Sequence, residues 1–310
     1  MDELSPQVVA DSAQRLAAIV NRTPVMTSRT LDEKASCRIF LKCENFQRVG
    51  AFKFRGAYNA ISQLDAQEKR AGVITHSSGN HAQGVALAAR LLGVRAVVVM
   101  PRNAPEIKRQ ATAGYGAQIV PCAAEEREAV TQDLLERHGY RLIHPYDDDR
   151  IIAGQGTAAW ELFDEVGSLD LLFVPVGGGG LISGSALAAA ARSPGCRVVG
   201  VEPEIAADAG RSWRENRVVT LSEAPDTVAD GLRTRYIGHR NLRVMRRYVH
   251  DMITVSERDI IDALQFAIQR LKIVVEPSAA VALAPLACGR FSGSGLRAGV
   301  ILSGGNTDLI

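Results

Sequence analysis

Residues 171–201, running Leu171-Leu172-Phe173-Val174-Pro175-Val176-Gly177-Gly178-Gly179-Gly180-Leu181 and on to Arg197-Val198-Val199-Gly200-Val201, decide the fold. A short apolar run ends in four glycines, apolar residues at helical spacing follow from Leu181 to Arg192, and a second apolar run comes next. Strand, tight turn, helix, strand is the unit from which parallel sheets are built. Glycines at the strand-to-helix junction let the backbone close on an anion, and the helix start adds its positive end, so the turn is a candidate phosphate cradle. The run matches neither G-x-G-x-x-G nor the Walker pattern. A flexible linker is the competing reading, but linkers are seldom framed by a buried strand and an apolar helix.

The same alternation extends in both directions. Strands are expected at 38–43, 71–75, 96–100, 118–120 and 299–302, and helices near 105–113, 125–137 and 151–166, with others beginning after Asn80 and, as a long helix, at Glu257. Ser5-Pro6 predicts a helix start with Ser5 as cap. Residues 203–248 are charged and less periodic, and read as loops with short elements that cover a site or meet a second subunit. The fold class is therefore α/β, with mostly parallel sheets flanked by helices. Residues 64–145 read as a small domain, and 1–63 with 146–310 as a larger one assembled from both flanks.

Composition narrows the partners. The chain has 310 residues, 46% hydrophobic, and 36 Lys+Arg against 34 Asp+Glu leave a formal charge of +2 with no long run of one sign. That pattern argues against nucleic acid and a membrane surface and for a small-molecule partner. Cys37, Cys43, Cys122, Cys196 and Cys288 form no C-x-x-C pair, which favours buried apolar thiols over zinc or dithiol chemistry. The acidic, then amphipathic N-terminus and the lack of a bilayer-length apolar stretch make a cytoplasmic location the expectation.

Three more segments carry chemistry. In Gly50-Ala51-Phe52-Lys53-Phe54-Arg55-Gly56-Ala57 a lysine stands among small and apolar residues, where desolvation disfavours ammonium and leaves an amine able to attack a carbonyl; an ordinary surface lysine is the bland alternative. Ser77-Ser78-Gly79-Asn80-His81 follows a strand and opens a helix, presenting amides, hydroxyls and a carboxamide, although a simple capping turn would look the same. Leu302-Ser303-Gly304-Gly305-Asn306 delivers a hydroxyl at the end of the last strand, with a terminal turn as its alternative. Together the four segments make one site: a lysine for an imine, amides for a phosphate, an asparagine and a serine for a polar ring.

These segments, in this order, resemble the fold-type-II pyridoxal-phosphate enzymes of the serine/threonine dehydratase and serine racemase group, across essentially the whole chain. The resemblance implies a two-domain fold, pyridoxal 5'-phosphate as cofactor and a homodimer. It implies that Lys53, beside Phe52, carries the cofactor as an imine and takes the substrate's α-proton once freed. Asn80 would bond the ring hydroxyl, Gly177, Gly178, Gly179, Gly180 and Leu181 would hold the phosphate, Ser303 would face the ring nitrogen, and Glu276 would lie near the ring. A serine at that nitrogen makes the cofactor a moderate electron sink, which suits elimination better than transamination. Ser77, Ser78, Gly79, Asn80 and His81 would receive the substrate carboxylate, with Arg127, Gly231 and Thr234 approaching from other sides. Glu202, Ala206 and Asp208 resemble the group's divalent-cation site, for magnesium or calcium; two solvated acids are the alternative. The activity implied is dehydration of L-threonine or L-serine to 2-oxobutyrate or pyruvate and ammonia. Ser78 permits racemisation as an alternative, and Ala51 with Phe54 looks more like members acting as racemases or on threo-3-hydroxyaspartate. A cofactor-binding protein without turnover is the reading from another class.

Overall fold

The computed structural model describes residues 4–308 except Ser78, Asn103 and Pro105, and the backbone alone of Ile107. Its strands are β1 (Val25–Met26), β2 (Arg38–Cys43), β3 (Val73–His76), β4 (Ala96–Pro101), β5 (Gln118–Cys122), β6 (Arg141–Leu142), β7 (Leu171–Pro175), β8 (Arg197–Pro203), β9 (Asp251–Val255) and β10 (Arg297–Leu302). They form a six-stranded sheet in the order β1-β2-β10-β7-β8-β9 and a four-stranded sheet in the order β5-β4-β3-β6. Every pairing is parallel except that of the short β1 with β2. The α/β class with mostly parallel sheets is thus what the chain adopts.

The helices are α1 (Gln7–Leu16), α2 (Arg29–Ala35), α3 (Lys53–Ser62), α4 (Ala66–Ala71), α5 (Asn80–Leu91), α6 (Glu106–Gly114), α7 (Arg127–His138), α8 (Asp149–Val166), α9 (Gly180–Arg192), α10 (Asp208–Glu215), α11 (His239–Tyr248), α12 (Glu257–Phe266) and α13 (Pro277–Ala287). Strand β7 shows why the sheets lie between helices: Leu171 and Phe173 enter the core under α12 and α13, while Leu172 and Val174 enter the core under α8 and α9. Being apolar on both faces, it can only be a central strand. The four-stranded sheet repeats the arrangement, with Val98 and Met100 of β4 on one side and Val97 and Val99 on the other.

Two local expectations are corrected. Ser5 does not cap α1 with its side chain; Pro6 is the N-cap residue and carries no side-chain donor or acceptor. Within 203–248 the short elements include α10 and α11, and α11 buries Asn241, Leu242, Val244 and Met245 along one stripe while Arg243, Arg246 and Arg247 face solvent. The helix from Glu257 ends at Phe266, passes through a wider turn over Ala267–Leu271, and is followed by the separate α13, started by Pro277.

A buried ion cluster locks α3 to the large sheet. Arg55 Nε donates to Glu44 Oε2 at 2.7 Å and its other nitrogens to Glu44 Oε1 (2.8 Å), Glu161 Oε1 (2.7 Å) and Glu161 Oε2 (2.9 Å). Lys42 Nζ of β2 completes the set with Glu161 Oε2 and the Thr23 carbonyl, both at 2.7 Å. Lys42, Glu44 and Arg55 are fully buried. Two cations face two anions, which is the condition under which buried charge is tolerated. Close by, α3 crosses α8 backbone to backbone: a methyl on Gly154 would lie 2.7 Å from Gly56 Cα and 2.8 Å from the Arg55 carbonyl. Replacing Arg55 by Met leaves the buried Glu44 and the partly buried Glu161 with one lysine, and urea unfolding of that variant is expected to show a loss of about 3–5 kcal/mol.

Candidate active site

The carboxyl ends of β3, β7 and β10 deliver the three turns named above, and Lys53 stands at the first residue of α3, close to the end of β2 in the chain. Two contacts register these pieces. Phe52 N donates to the Ser303 carbonyl at 3.0 Å, and Ala51 bridges Gly304, so the lysine turn and the last turn form one surface. Ser303 is buried at its edge.

Lys53 is partly buried in the cleft, its Nζ donating to the Pro145 carbonyl at 2.8 Å. Burial pulls its pKa from 10.5 down to about 8, against the charge of Glu276, which holds it up. A lysine so placed has a substantial neutral fraction near neutral pH. His81 lies behind it, buried, with Nε2 3.0 Å from the Ile143 carbonyl and Nδ1 without a hydrogen-bond partner among the described residues. A nitrogen facing a carbonyl carries the proton, so Nδ1 presents a lone pair. Burial first, then the charge of Lys53, keeps the ring neutral.

Asn80 opens α5 and is held from two sides. Its Nδ2 donates to both oxygens of Glu276 at 2.9 Å, and its Oδ1 accepts from Asn306 Nδ2 at 2.8 Å. Burial raises Glu276 to about 7, partly offset by the Asn80 amide. Ser77 Oγ accepts the Gly79 amide at 3.2 Å, which closes the turn; Ser78 lies outside the described residues.

The glycine turn is packed as a cradle. Gly179 has a φ of +94°, and α9 begins at Gly180 without a side-chain cap, so no side chain caps its first amides. A Cβ on Gly178 would overlap the Tyr146 ring. Asn241 Nδ2 pins the turn from beneath by donating to the Gly178 carbonyl at 2.8 Å and to the Tyr146 carbonyl at 3.1 Å. Thr234 Oγ1, buried and without a partner among the described residues, would sit 3.4 Å from a Cβ on Gly177. Gly231 is held by its amide, which donates to Ser278 Oγ at 2.9 Å. Leu181 is buried in the core behind the cradle.

A match to the model of the family described as "Pyridoxal-phosphate dependent enzyme" spans residues 16–304. The chain belongs to that family. Over 303 residues it is 49% identical to the L-threo-3-hydroxyaspartate ammonia-lyase of Saccharomyces cerevisiae, covering 97% of this chain and 93% of that protein. It is 47% identical over 303 residues to the serine racemase of Schizosaccharomyces pombe, covering 97% and 94%. The crystal structure of the T.th. threonine deaminase superposes with a TM-score of 0.92 at 42% identity, covering 99% of this chain and 100% of that one.

The residues present fit a pyridoxal-phosphate dependent enzyme. The uncapped start of α9 with the unpartnered Thr234 hydroxyl suits a phosphate, the depressed Lys53 suits an aldehyde, and Asn80 with Ser303 brings polar atoms between them. Four neighbours of the site carried no signal in the sequence reading. The Pro145 carbonyl and Tyr146 flank the boundary expected between the two domains; Asn241 sits on a charged helix, and Asn306 closes a motif read for its serine. His144 accepts the amides of Tyr146 (3.2 Å) and Asp147 (2.8 Å) at Nδ1, and burial lowers its pKa to about 4.

The cation-site residues stand apart from this cleft at the end of β8. Glu202 accepts the amides of Gly210 (2.8 Å) and Ala209 (3.2 Å), which caps α10, while Asp208 Oδ2 is buried without a partner among the described residues. Ala206 is buried in the turn between them. Among the described residues no group of three or more His, Cys, Asp or Glu could hold a metal ion.

The lowered Lys53 pKa sets how apoprotein takes up pyridoxal phosphate, since only the neutral amine attacks an aldehyde. Uptake, followed by the rise of visible absorbance, should increase with pH and level off near pH 8 instead of continuing toward 10.5. In Glu276→Gln the anion that holds Lys53 up is gone, so the midpoint should move to lower pH.

Proposed function

We propose that this chain is a pyridoxal-phosphate-dependent ammonia-lyase for a small 3-hydroxy amino acid with a second carboxylate, of which L-threo-3-hydroxyaspartate is the type, yielding oxaloacetate and ammonia. The observation that carries this reading is Arg127. It opens α7 on the four-stranded unit, is partly buried, and has an Nε with no hydrogen-bond partner among the described residues. Its charge lowers the pKa of His76, the residue just before Ser77, after the larger effect of burial. A partly buried guanidinium with an unpartnered donor near the substrate turn suits a β-carboxylate, which serine and threonine lack. The name of the Saccharomyces cerevisiae relative supports this choice over L-serine and L-threonine, the substrates the sequence reading put first.

Bound pyridoxal phosphate supplies an aldehyde for a lysine and an electron-withdrawing ring that acidifies the substrate's α-proton. The amides of Gly177 to Gly180 and the start of α9, with the Thr234 hydroxyl, hold the phosphate. Asn80, oriented by Glu276 and Asn306, and Ser303 hold the ring. Lys53, whose ammonium is disfavoured by burial, binds covalently at rest and serves as the base that receives the α-proton. The turn at Ser77 and Gly79, with His81 behind it, takes the α-carboxylate on neutral donors. Arg127 draws the far carboxylate toward the four-stranded unit, which orients the bond to be broken.

Holoenzyme given L-threo-3-hydroxyaspartate, L-serine and L-threonine in turn should release most keto acid from the first. Arg127→Gln should raise KM for hydroxyaspartate about 10- to 100-fold, as for loss of a charged hydrogen bond, with a far smaller effect on L-serine. Equal effects on both substrates would remove Arg127 from that role. Cofactor uptake without keto acid from any of the three would favour a binding protein. A second reading, serine racemisation, is supported by the fission-yeast relative and rests on Ser78; D-serine formed by the protein and lost in Ser78→Ala would establish it.

We also propose that Glu202, Asp208 and the Ala206 carbonyl bind magnesium or calcium. The buried, unpartnered Asp208 oxygen beside a second carboxylate is the kind of all-oxygen donor set those ions take. Either ion should raise the melting temperature over chelator-treated protein, and Asp208→Asn should abolish the rise.

A further inference from the structure

Among the described residues, one ion pair joins the four-stranded unit to the six-stranded one. Lys108 Nζ, on α6, lies 2.5 Å from Asp230 Oδ2, 122 residues away; the other pairs are internal to one unit or the other. The Lys108 side chain is 14% exposed and that of Asp230 40%, so the contact sits at the rim and not in the core.

The Asp230 side is rigid. Asp230 begins a short turn, Asp230–Leu232, whose Gly231 amide is fixed by Ser278 Oγ of α13, and Arg233 Nε returns to the Thr227 carbonyl at 2.9 Å. The Lys108 side belongs to α6, which packs on α5, the helix opened by Asn80. Both charges are felt at Glu276, the carboxylate that orients Asn80: Asp230 raises its pKa and Lys108 lowers it. The pair therefore spans the mouth whose floor is the Asn80–Glu276 contact.

We propose that Lys108 and Asp230 are a reversible latch, positioning residues that hold the four-stranded unit over the cleft and so present the Ser77–Asn80 turn to substrate without touching it. Partial exposure keeps the contact weak, so that it can break and re-form. The Asn80 contacts to Glu276 and Asn306 register the two units at the floor of the site, and the Lys108–Asp230 pair adds a directional contact at its rim.

The test uses holoenzyme and three variants: Lys108→Met, Asp230→Asn, and the exchanged pair Lys108→Asp with Asp230→Lys. Each single change should raise substrate KM about two- to five-fold, the range for a partly exposed pair, with little change in kcat. The exchanged pair should recover most of that loss, and the rise of KM with ionic strength expected of the parent should be smaller in the single variants. Amide exchange across α6 should quicken in the single variants and slow again in the exchanged pair. This second readout needs no substrate, so it tests the latch even if the activity proposed above fails. Unchanged exchange in both single variants, or an exchanged pair as impaired as either, would overturn the proposal.

Discussion

Arg55 is the fixed point of the molecule. Its guanidinium spends its donors on Glu44, just after β2, and Glu161, in the C-terminal half of α8, so one side chain ties the large sheet, its covering helix and α3 together. Lys53 is two residues earlier on α3, which starts without a side-chain cap. Side chains two apart on a helix point in nearly opposite directions. With Arg55 drawn into the core, Lys53 is turned toward the cleft. The same anchoring brings α3 against α8 at Gly56 and Gly154, where two backbones meet with no room for a methyl group. Placement of the lysine thus follows from charges that never meet a ligand.

Buried ion clusters stabilise weakly compared with apolar packing of the same volume, but they tolerate almost no misplacement, since a displaced partner leaves a bare charge in low dielectric. That distinction suits a floor that must not move. The contrast with Lys108 and Asp230 is one of burial: the same attraction at the rim is screened and worth little, and suits a contact that breaks and re-forms.

Much of this was legible in the chain because parallel strands buried on both faces read as apolar blocks. Strand β2 coincides with the expected 38–43, and β4, β7 and β8 begin where expected, because Gly and Pro punctuate the turns beside them. The four site segments were legible for a related reason: residues that must approach a ligand through bare backbone or a lone lysine contradict their apolar surroundings. What stayed hidden was carried by tertiary partners. The arginines of α11 mask its apolar stripe, since a four-residue face gives little periodic signal in a charged decapeptide. Asn241 and Tyr146 matter only because they touch Gly178, and no local pattern encodes a contact across that distance in sequence. Arg55 looked like one more basic residue in the lysine motif; its burial depends on Glu161, more than a hundred residues on.

Buried polar atoms without a partner occur in the scaffold, as at Gln155 Nε2 and Ser185 Oγ, and also among the candidate site residues. Each costs about 1–3 kcal/mol, so those at the candidate site are atoms a ligand could complete. Arg55 has none to spare, whereas His81 Nδ1, Thr234 Oγ1 and Arg127 Nε each lack a partner among the described residues. These three come from different parts of the chain, two from the four-stranded unit and one from the six-stranded, and they differ in kind: a lone pair, a hydroxyl and a cationic donor. A ligand that satisfies all three must itself offer a donor, an acceptor and an anion, and must touch both units at once. Cofactor and amino-acid substrate together answer that description. On the proposed reading, a ligand that satisfies these atoms also bridges the two units, so binding and the registering of the units are coupled.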